Sequence, residues 1–147
     1  MLKNIMLVMV LLFTFSSYTY AGDKAHQDND KVEKTLKKMV RAYKNENLRA
    51  FFTHVSEDKF QQDFLDFAEY LKDDLRVNDI LSLDVWVDKI TSDGKKRFLY
   101  ITWEKRYQNS EESSELFKEG RSMFLFDNIK GKYKLIDFGG DILFGNN

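Results

Sequence analysis

From Asp30 onward the apolar residues Val32, Leu36, Met39, Val40 and Tyr43 recur at steps that put them on one face of a helix. Asp30 and Glu33 make a cap-like pair at its start, and the pattern predicts an amphipathic helix ending near Asn45. Asn47 can cap a short second helix in which Leu48, Phe51, Phe52 and Val55 point one way. A third helix is expected after Ser56. Glu57 and Asp58 sit in its first turn, where the helix dipole favours acids, and Phe60, Phe64, Phe67, Leu71 and Leu75 form one stripe in a register that holds through Arg76.

The period then changes to two. Leu81, Leu83, Val85 and Val87 alternate with Ser82, Asp84, Trp86 and Asp88, a strand with one buried face. Ser92-Asp93-Gly94 marks a turn. As a three-residue loop with Gly94 in the left-handed position, it sets Val87 opposite Leu99, Val85 opposite Ile101 and Leu83 opposite Trp103. The other face then pairs Trp86 with Tyr100 and Asp88 with Phe98. A two-residue Asp-Gly loop would put Leu83 against Glu104, so the hydrophobic pattern selects the bulged turn. Residues 115–127 and 132–144 predict two further strands joined through Asn128–Gly131. Their faces stay open, because Met123 and Leu125 compete with Phe124 and Phe126, as Ile136 and Phe138 do with Leu135.

Ahead of the helices, residues 1–21 have the three parts of a secretory signal: Lys3, an apolar run from Ile5 to Phe15 broken only by Thr14, and a short polar stretch with small residues at Thr19 and Ala21. The run is shorter than the roughly 20 apolar residues that span a bilayer. Cleavage after Ala21 is expected, followed by an irregular, flexible polar spacer over 22–29 and one domain over 30–147. The expected location is the bacterial periplasm or the exterior.

Composition narrows the chemistry. The chain has 147 residues, 23 Lys+Arg against 24 Asp+Glu and a formal net charge of −1, which removes the usual electrostatic basis for nucleic-acid binding. It has no cysteine, which excludes a disulfide scaffold, a thiol nucleophile and a thiolate metal site. Stability must come from the core, and 13 Phe, 7 Tyr and 2 Trp make that feasible.

Helices followed by an antiparallel meander form an α+β plan. The run from Val40 to Phe52, two helices joined by the polar turn Asn45-Glu46-Asn47, together with the closing segment Lys132 to Phe138, resembles the nuclear transport factor 2-like superfamily, also called ketosteroid isomerase-like or SnoaL-like. The resemblance implies N-terminal helices packed in a strongly bent antiparallel sheet, a cone-shaped, cystatin-like roll. It also implies that sheet-to-sheet dimers are common. A short strand often found in that family between the second and third helices has scarcely any room between His54 and Phe60. The superfamily hosts isomerases, dehydratases and binding modules, so the fold alone selects no activity.

Candidate chemistry is sparse. Asp84, Asp88, Glu104 and Asp137 are present, but acids this abundant supply chance carboxylate pairs, and no acid–base assignment follows. His26, Asp28 and Asp30 alternate like metal ligands but lack further histidine partners, and His54 has no nucleophile motif beside it. Asp137-Phe138-Gly139 has no phosphate-loop partner and reads as a bend in the last strand. Two places hold interest. Trp103, with Arg121 and Asp137 on adjacent strands, would line a small-molecule cavity. Trp86, Phe98 and Tyr100 form an aromatic patch on the opposite face, left without helices to cover it and suited to a protein partner or a second copy in a homodimer. The expected function is an exported non-catalytic module that binds a protein partner or a small ligand; the alternative is a small isomerase or dehydratase using cone carboxylates. No cofactor, catalytic residue, metal ligand, nucleic acid or membrane, once the signal is cleaved, is implied.

Overall fold

A computed structural model describes the backbone of residues 2–111 and 113–145 and the side chains of 22–111 and 113–145, so the signal reading of residues 1–21 lies outside the described side chains. The elements in order are α1 (Leu2–Lys44), α2 (Leu48–Phe52), a 3-10 turn (Glu57–Lys59), α3 (Phe64–Val77), β1 (Asn78–Asp93), β2 (Lys96–Asn109), β3 (Glu115–Ile129) and β4 (Lys132–Gly140). Two compact units divide the chain, Met1–Lys31 and Val32–Asn147. In the first, residues 22–29 are helical and mostly exposed where the sequence suggested an irregular spacer.

The α1 stripe behaves as its spacing requires: Val32, Leu36, Met39 and Tyr43 are buried. Glu46 takes a left-handed φ of 56° beyond the helix, and Asn47 then caps α2 by accepting from the Ala50 amide at 3.0 Å. The single long third helix is corrected. Asp63, not Ser56, is the cap of α3, accepting from the Leu65 and Asp66 amides at 2.9 and 3.0 Å. The backbone before it is engaged elsewhere: Ser56 N–H donates to the Leu135 carbonyl, Gln61 N–H to the Ile136 carbonyl, and Leu135 N–H to the His54 carbonyl. Val55 and Leu135 thereby form an isolated parallel bridge, a strand reduced to one pair between the second and third helices.

The four strands form one antiparallel sheet in chain order, β1-β2-β3-β4. The expected strongly bent, cone-shaped roll is corrected here: β1 and β4 are separate edges, and the sheet is neither closed nor strongly curled. The helices pack against its inner face, where Leu99, Ile101, Trp103, Phe124 and Phe126 join the α1 stripe and Phe51, Phe67 and Leu71 in one core.

The hairpin register is also corrected. Asp93 pairs with Lys96, leaving Gly94-Lys95 as a two-residue loop with Gly94 at φ 56°. Val87 lies opposite Ile101, Val85 opposite Trp103, and Leu83 opposite Lys105. From Leu83 to Val87 the offset from the expected pairing is two residues, which keeps those side chains on their faces, but bulges at Ile80/Ser82 and Val87/Lys89 reverse the alternation: Ile80 is buried and Leu81, expected on the buried face, is exposed, while Ile90 lies opposite the buried Leu99. The open question over β3 has a physical answer. A register shift between Leu125 and Phe126 turns the strand, and Phe124, Leu125 and Phe126 are all buried.

Candidate functional site

Strand alternation carries a charge into the core. Leu99, Ile101, Trp103, Lys105 and Tyr107 occupy the inner positions of β2, and Lys105 is 0% exposed. On α3 the step from Phe67 to Leu71 to Asp74 does the same for a carboxylate, and α1 contributes Tyr43. The Tyr43 hydroxyl donates to Asp74 Oδ2 in a close contact, and Asn78 Nδ2 donates to Asp74 Oδ1 at 2.9 Å. Lys105 Nζ donates to the Tyr43 hydroxyl oxygen at 3.4 Å, and to the carbonyls of Leu143 and Gly145 at 3.3 and 3.0 Å. The ammonium also lies 5.6 Å from the Tyr43 ring centre and 5.3 Å from that of Tyr107.

Burial decides the protonation behaviour. Desolvation lowers Lys105 to about 8, opposed by the charge of Asp74 and assisted by Lys118. The Tyr43 phenol is pushed well above its ordinary value, first by desolvation and then by the charge and hydrogen bond of Asp74. Tyr70, the next tyrosine outward, is raised by partial burial and by Asp74. The site thus holds a phenol kept as a donor beside an amine that titrates near neutral pH.

The chain's own end closes this site. After Gly140, at φ +87°, the backbone leaves the sheet: Asp141 N–H donates to the Arg121 carbonyl and Asp141 Oδ2 accepts from the Arg121 amide, both at 2.8 Å. Trp103 Nε1 donates to Ser122 Oγ at 2.8 Å, and Ser122 Oγ donates to the Asp141 carbonyl. Leu143 and Phe144 are buried, with the Phe144 ring 5.1 Å from Tyr43 and 4.9 Å from Phe51. Gly145 has φ +110°, and a Cβ there would fall 2.0 Å from the Tyr70 ring. Beside this segment a hollow of about 370 Å³ is bounded by Gln62, Asp66, Tyr70, Phe138 and Ile142.

The residues singled out from sequence fall in different places. Trp103 is buried on the inner face, packed so closely on Gly120 that a Cβ there would lie 2.7 Å from its ring. Arg121 is exposed, opposite Thr102, and Asp137 accepts from Gln62 Nε2 at 2.9 Å. The structure does not bring the three together: Asp137 pairs with Leu125, four positions along β3 from Arg121. Trp86 and Tyr100 are 48% and 43% exposed on the outer face, with Phe98 half-buried. Trp86 faces Thr102, so Tyr100 is its diagonal neighbour. Glu104 is exposed, and Asp88 accepts from the Thr102 hydroxyl at 2.8 Å. His54 is lowered by partial burial and by Lys134 and Lys38. Among the described residues no group of three or more His, Asp or Glu is placed to hold a metal, and no helix is long and apolar enough to cross a membrane.

Sequence reasoning missed Lys105, Asp74 and the closing segment. A signal existed for the first two: each is the polar residue on an otherwise apolar period, Lys105 every second residue after Leu99 and Asp74 seven after Phe67.

No protein-family model matches the chain, and no curated protein matches it. Solved structures do. A conserved protein from Planctomyces limnophilus superposes with a TM-score of 0.68 at 10% identity, over 77% of this chain and 94% of that one. A nuclear transport factor 2-like superfamily protein from Salmonella enterica serovar Typhimurium gives 0.68 at 7%, over 80% and 92%. A ketosteroid isomerase-like protein from Erwinia carotovora atroseptica gives 0.64 at 10%, over 74% and 91%. The chain therefore has the nuclear transport factor 2-like fold, and at these identities the likeness is one of fold.

Proposed function

We propose that this nuclear transport factor 2-like domain binds a small oxygen-bearing molecule at the Tyr43–Asp74–Lys105 cluster and acts on it by proton transfer, chemistry of the isomerase or dehydratase kind. One observation carries the reading: a lysine with no exposed surface directs its ammonium at two peptide carbonyls and a tyrosine hydroxyl, with an aspartate behind. Burying an ionisable trio costs stability that an apolar core would not lose, so its retention points to use. The carbonyl oxygens of Leu143 and Gly145 mark where a ligand's oxygen would sit once the closing segment swings outward, and the hollow beside Tyr70 and Ile142 is the side from which it would enter. An amine lowered to about 8 can, in its neutral form, take a proton from a carbon next to a carbonyl and return it to another carbon, and the Tyr43 hydroxyl, turned away from Asp74, would donate to the enolate oxygen that forms between the two steps. The Erwinia neighbour's description as ketosteroid isomerase-like agrees with this class without assigning it.

The test is solvent exchange. Full-length protein in heavy water should speed deuterium uptake at the α-carbon of some members of a panel of small carbonyl compounds, followed by proton NMR. Lys105→Met and Tyr43→Phe should slow it at least tenfold. No exchange above buffer across the panel would reject the enzymatic reading. That outcome would favour the second reading, a non-catalytic binding module, which the complete burial of Leu143 and Phe144 supports. We also place the protein outside the cytoplasm on the strength of residues 1–21. Mass spectrometry of envelope material should find a chain beginning at Gly22, and recovery of the intact Met1 chain from the cytoplasm would reject export.

A further inference from the structure

A second site lies away from the Lys105 cluster and does not depend on it. Between the last turns of α1 and the free edge strand β1 runs a groove of about 560 Å³, a volume typical of small-molecule sites. Its floor is apolar. Leu36 and Leu83 are buried beneath it, while Val40, Val85 and Val87 remain partly exposed along it, inner-face residues that the helix does not fully cover. Its helical wall is cationic: Lys37, Arg41 and Lys44 lie along one stripe, are exposed, and make no ion pair among the described residues. Asp84, on the strand wall, is the one acid among the lining residues.

Arg41 and Lys44 stand in the last turn of α1, where the helix dipole favours cations, and Lys37 lies one turn back on the same stripe, so the helical wall offers an anion a concentrated positive charge. The neighbouring floor favours apolar surface. We propose that the groove binds a single-chain anionic amphiphile, a fatty-acid-like carboxylate whose chain lies on Val40, Val85 and Val87 and whose headgroup meets Arg41 and Lys44. The length fits: from Leu36 to Lys44 the helix rises about 12 Å. Because β1 is an edge of the sheet, the groove opens to solvent along its strand side and the chain can enter without unfolding any element.

Isothermal titration of the full-length protein with dodecanoate, below its micellar concentration, should give one saturable site. Affinity should rise by roughly fourfold per methylene from octanoate to dodecanoate, the increment of a buried CH₂. Arg41→Glu with Lys44→Glu should weaken dodecanoate at least tenfold, as should Val85→Asp, with circular dichroism unchanged in the exposed double variant. Dodecyltrimethylammonium should show no saturable site. Three results would overturn the proposal: no saturable dodecanoate binding, unchanged affinity in the double variant, or equal binding of the cationic analogue. A dimer that the double variant dissociates while dodecanoate leaves it intact would assign the groove to a second copy and also overturn it.

Discussion

Replacing Lys105 by Met isolates the cost of burying a cation in this core. Methionine keeps the length and fills the same space, removes the charge, and leaves the Leu143 and Gly145 carbonyls without the donor they have now. In the folded chain Lys105 titrates near 8, against an ordinary 10.5. The folded value is the lower one, so between these limits the unfolded chain holds more protons than the folded chain, and stability rises with pH. Below pH 8 the penalty is fully present; approaching 10.5 it has largely gone. A difference of this size amounts to about 2–3 kcal/mol of stability gained between pH 7 and pH 10. Tyr43 acts in the opposite direction, but only once the unfolded chain's phenols ionise near 10, so the window from 7 to 10 reports mainly on Lys105. Urea unfolding at pH 7, 8, 9 and 10 should show the wild-type curve climbing relative to Lys105→Met by that amount. Parallel curves for the two proteins across the window would refute the buried-cation argument.

Two further perturbations test neighbouring features. Gly145→Ala places a Cβ against the Tyr70 ring at a φ of +110°, so the closing segment must shift; a loss of about 1–3 kcal/mol in chemical denaturation is expected, and a variant that unfolds with the wild type would show that the segment is not held there. On the outer face, Trp86 and Tyr100 would anchor the homodimer expected from the aromatic patch: light scattering should then find a micromolar dimer that Trp86→Ala dissociates with its fold intact, and a monomeric wild type would reject the dimer.

Much of the fold was legible because it rests on periodicity. The α1 stripe, the Asn47 cap, the change from period three-and-a-half to two at the start of β1, and the identity of the buried face of β2 all follow from where apolar residues recur. What failed was long-range or blind to parity. A two-residue slip in the β1–β2 register leaves Leu83, Val85 and Val87 on their own face, whereas the bulges at Ile80/Ser82 and Val87/Lys89 reverse the alternation, exposing Leu81 and setting Ile90 opposite Leu99. The break before α3 is set by β4, some 75 residues along the chain from Gln61, whose Leu135 and Ile136 carbonyls draw the backbone out of helical pairing. The open form of the sheet was lost for a similar reason. Family resemblance carries an expectation of curvature, whereas the pairing pattern that decides it is seen only when all four strands are in place.

The site was harder to read for a reason rooted in the same rule. Charged residues are almost never fully buried unless partnered, so Lys105 in a run of Glu104, Lys105 and Arg106, and Asp74 beside Asp73, read as surface charges although their periods pointed inward. Each position alone favours solvent. Together they compensate one another, and the compensation also needs Tyr43 from a third element and two carbonyls from the chain's end. Such a cluster exists only as a set: removing any member leaves another buried and unsatisfied, so its signal is spread over four elements and concentrated in none. A polar residue that falls on an apolar period in two different elements is therefore better taken as one half of a buried pair than as two accidents. Asp74 and Lys105 meet that criterion and are buried together; Arg97 meets it too, on the same inner face of β2, whereas Glu104 is exposed.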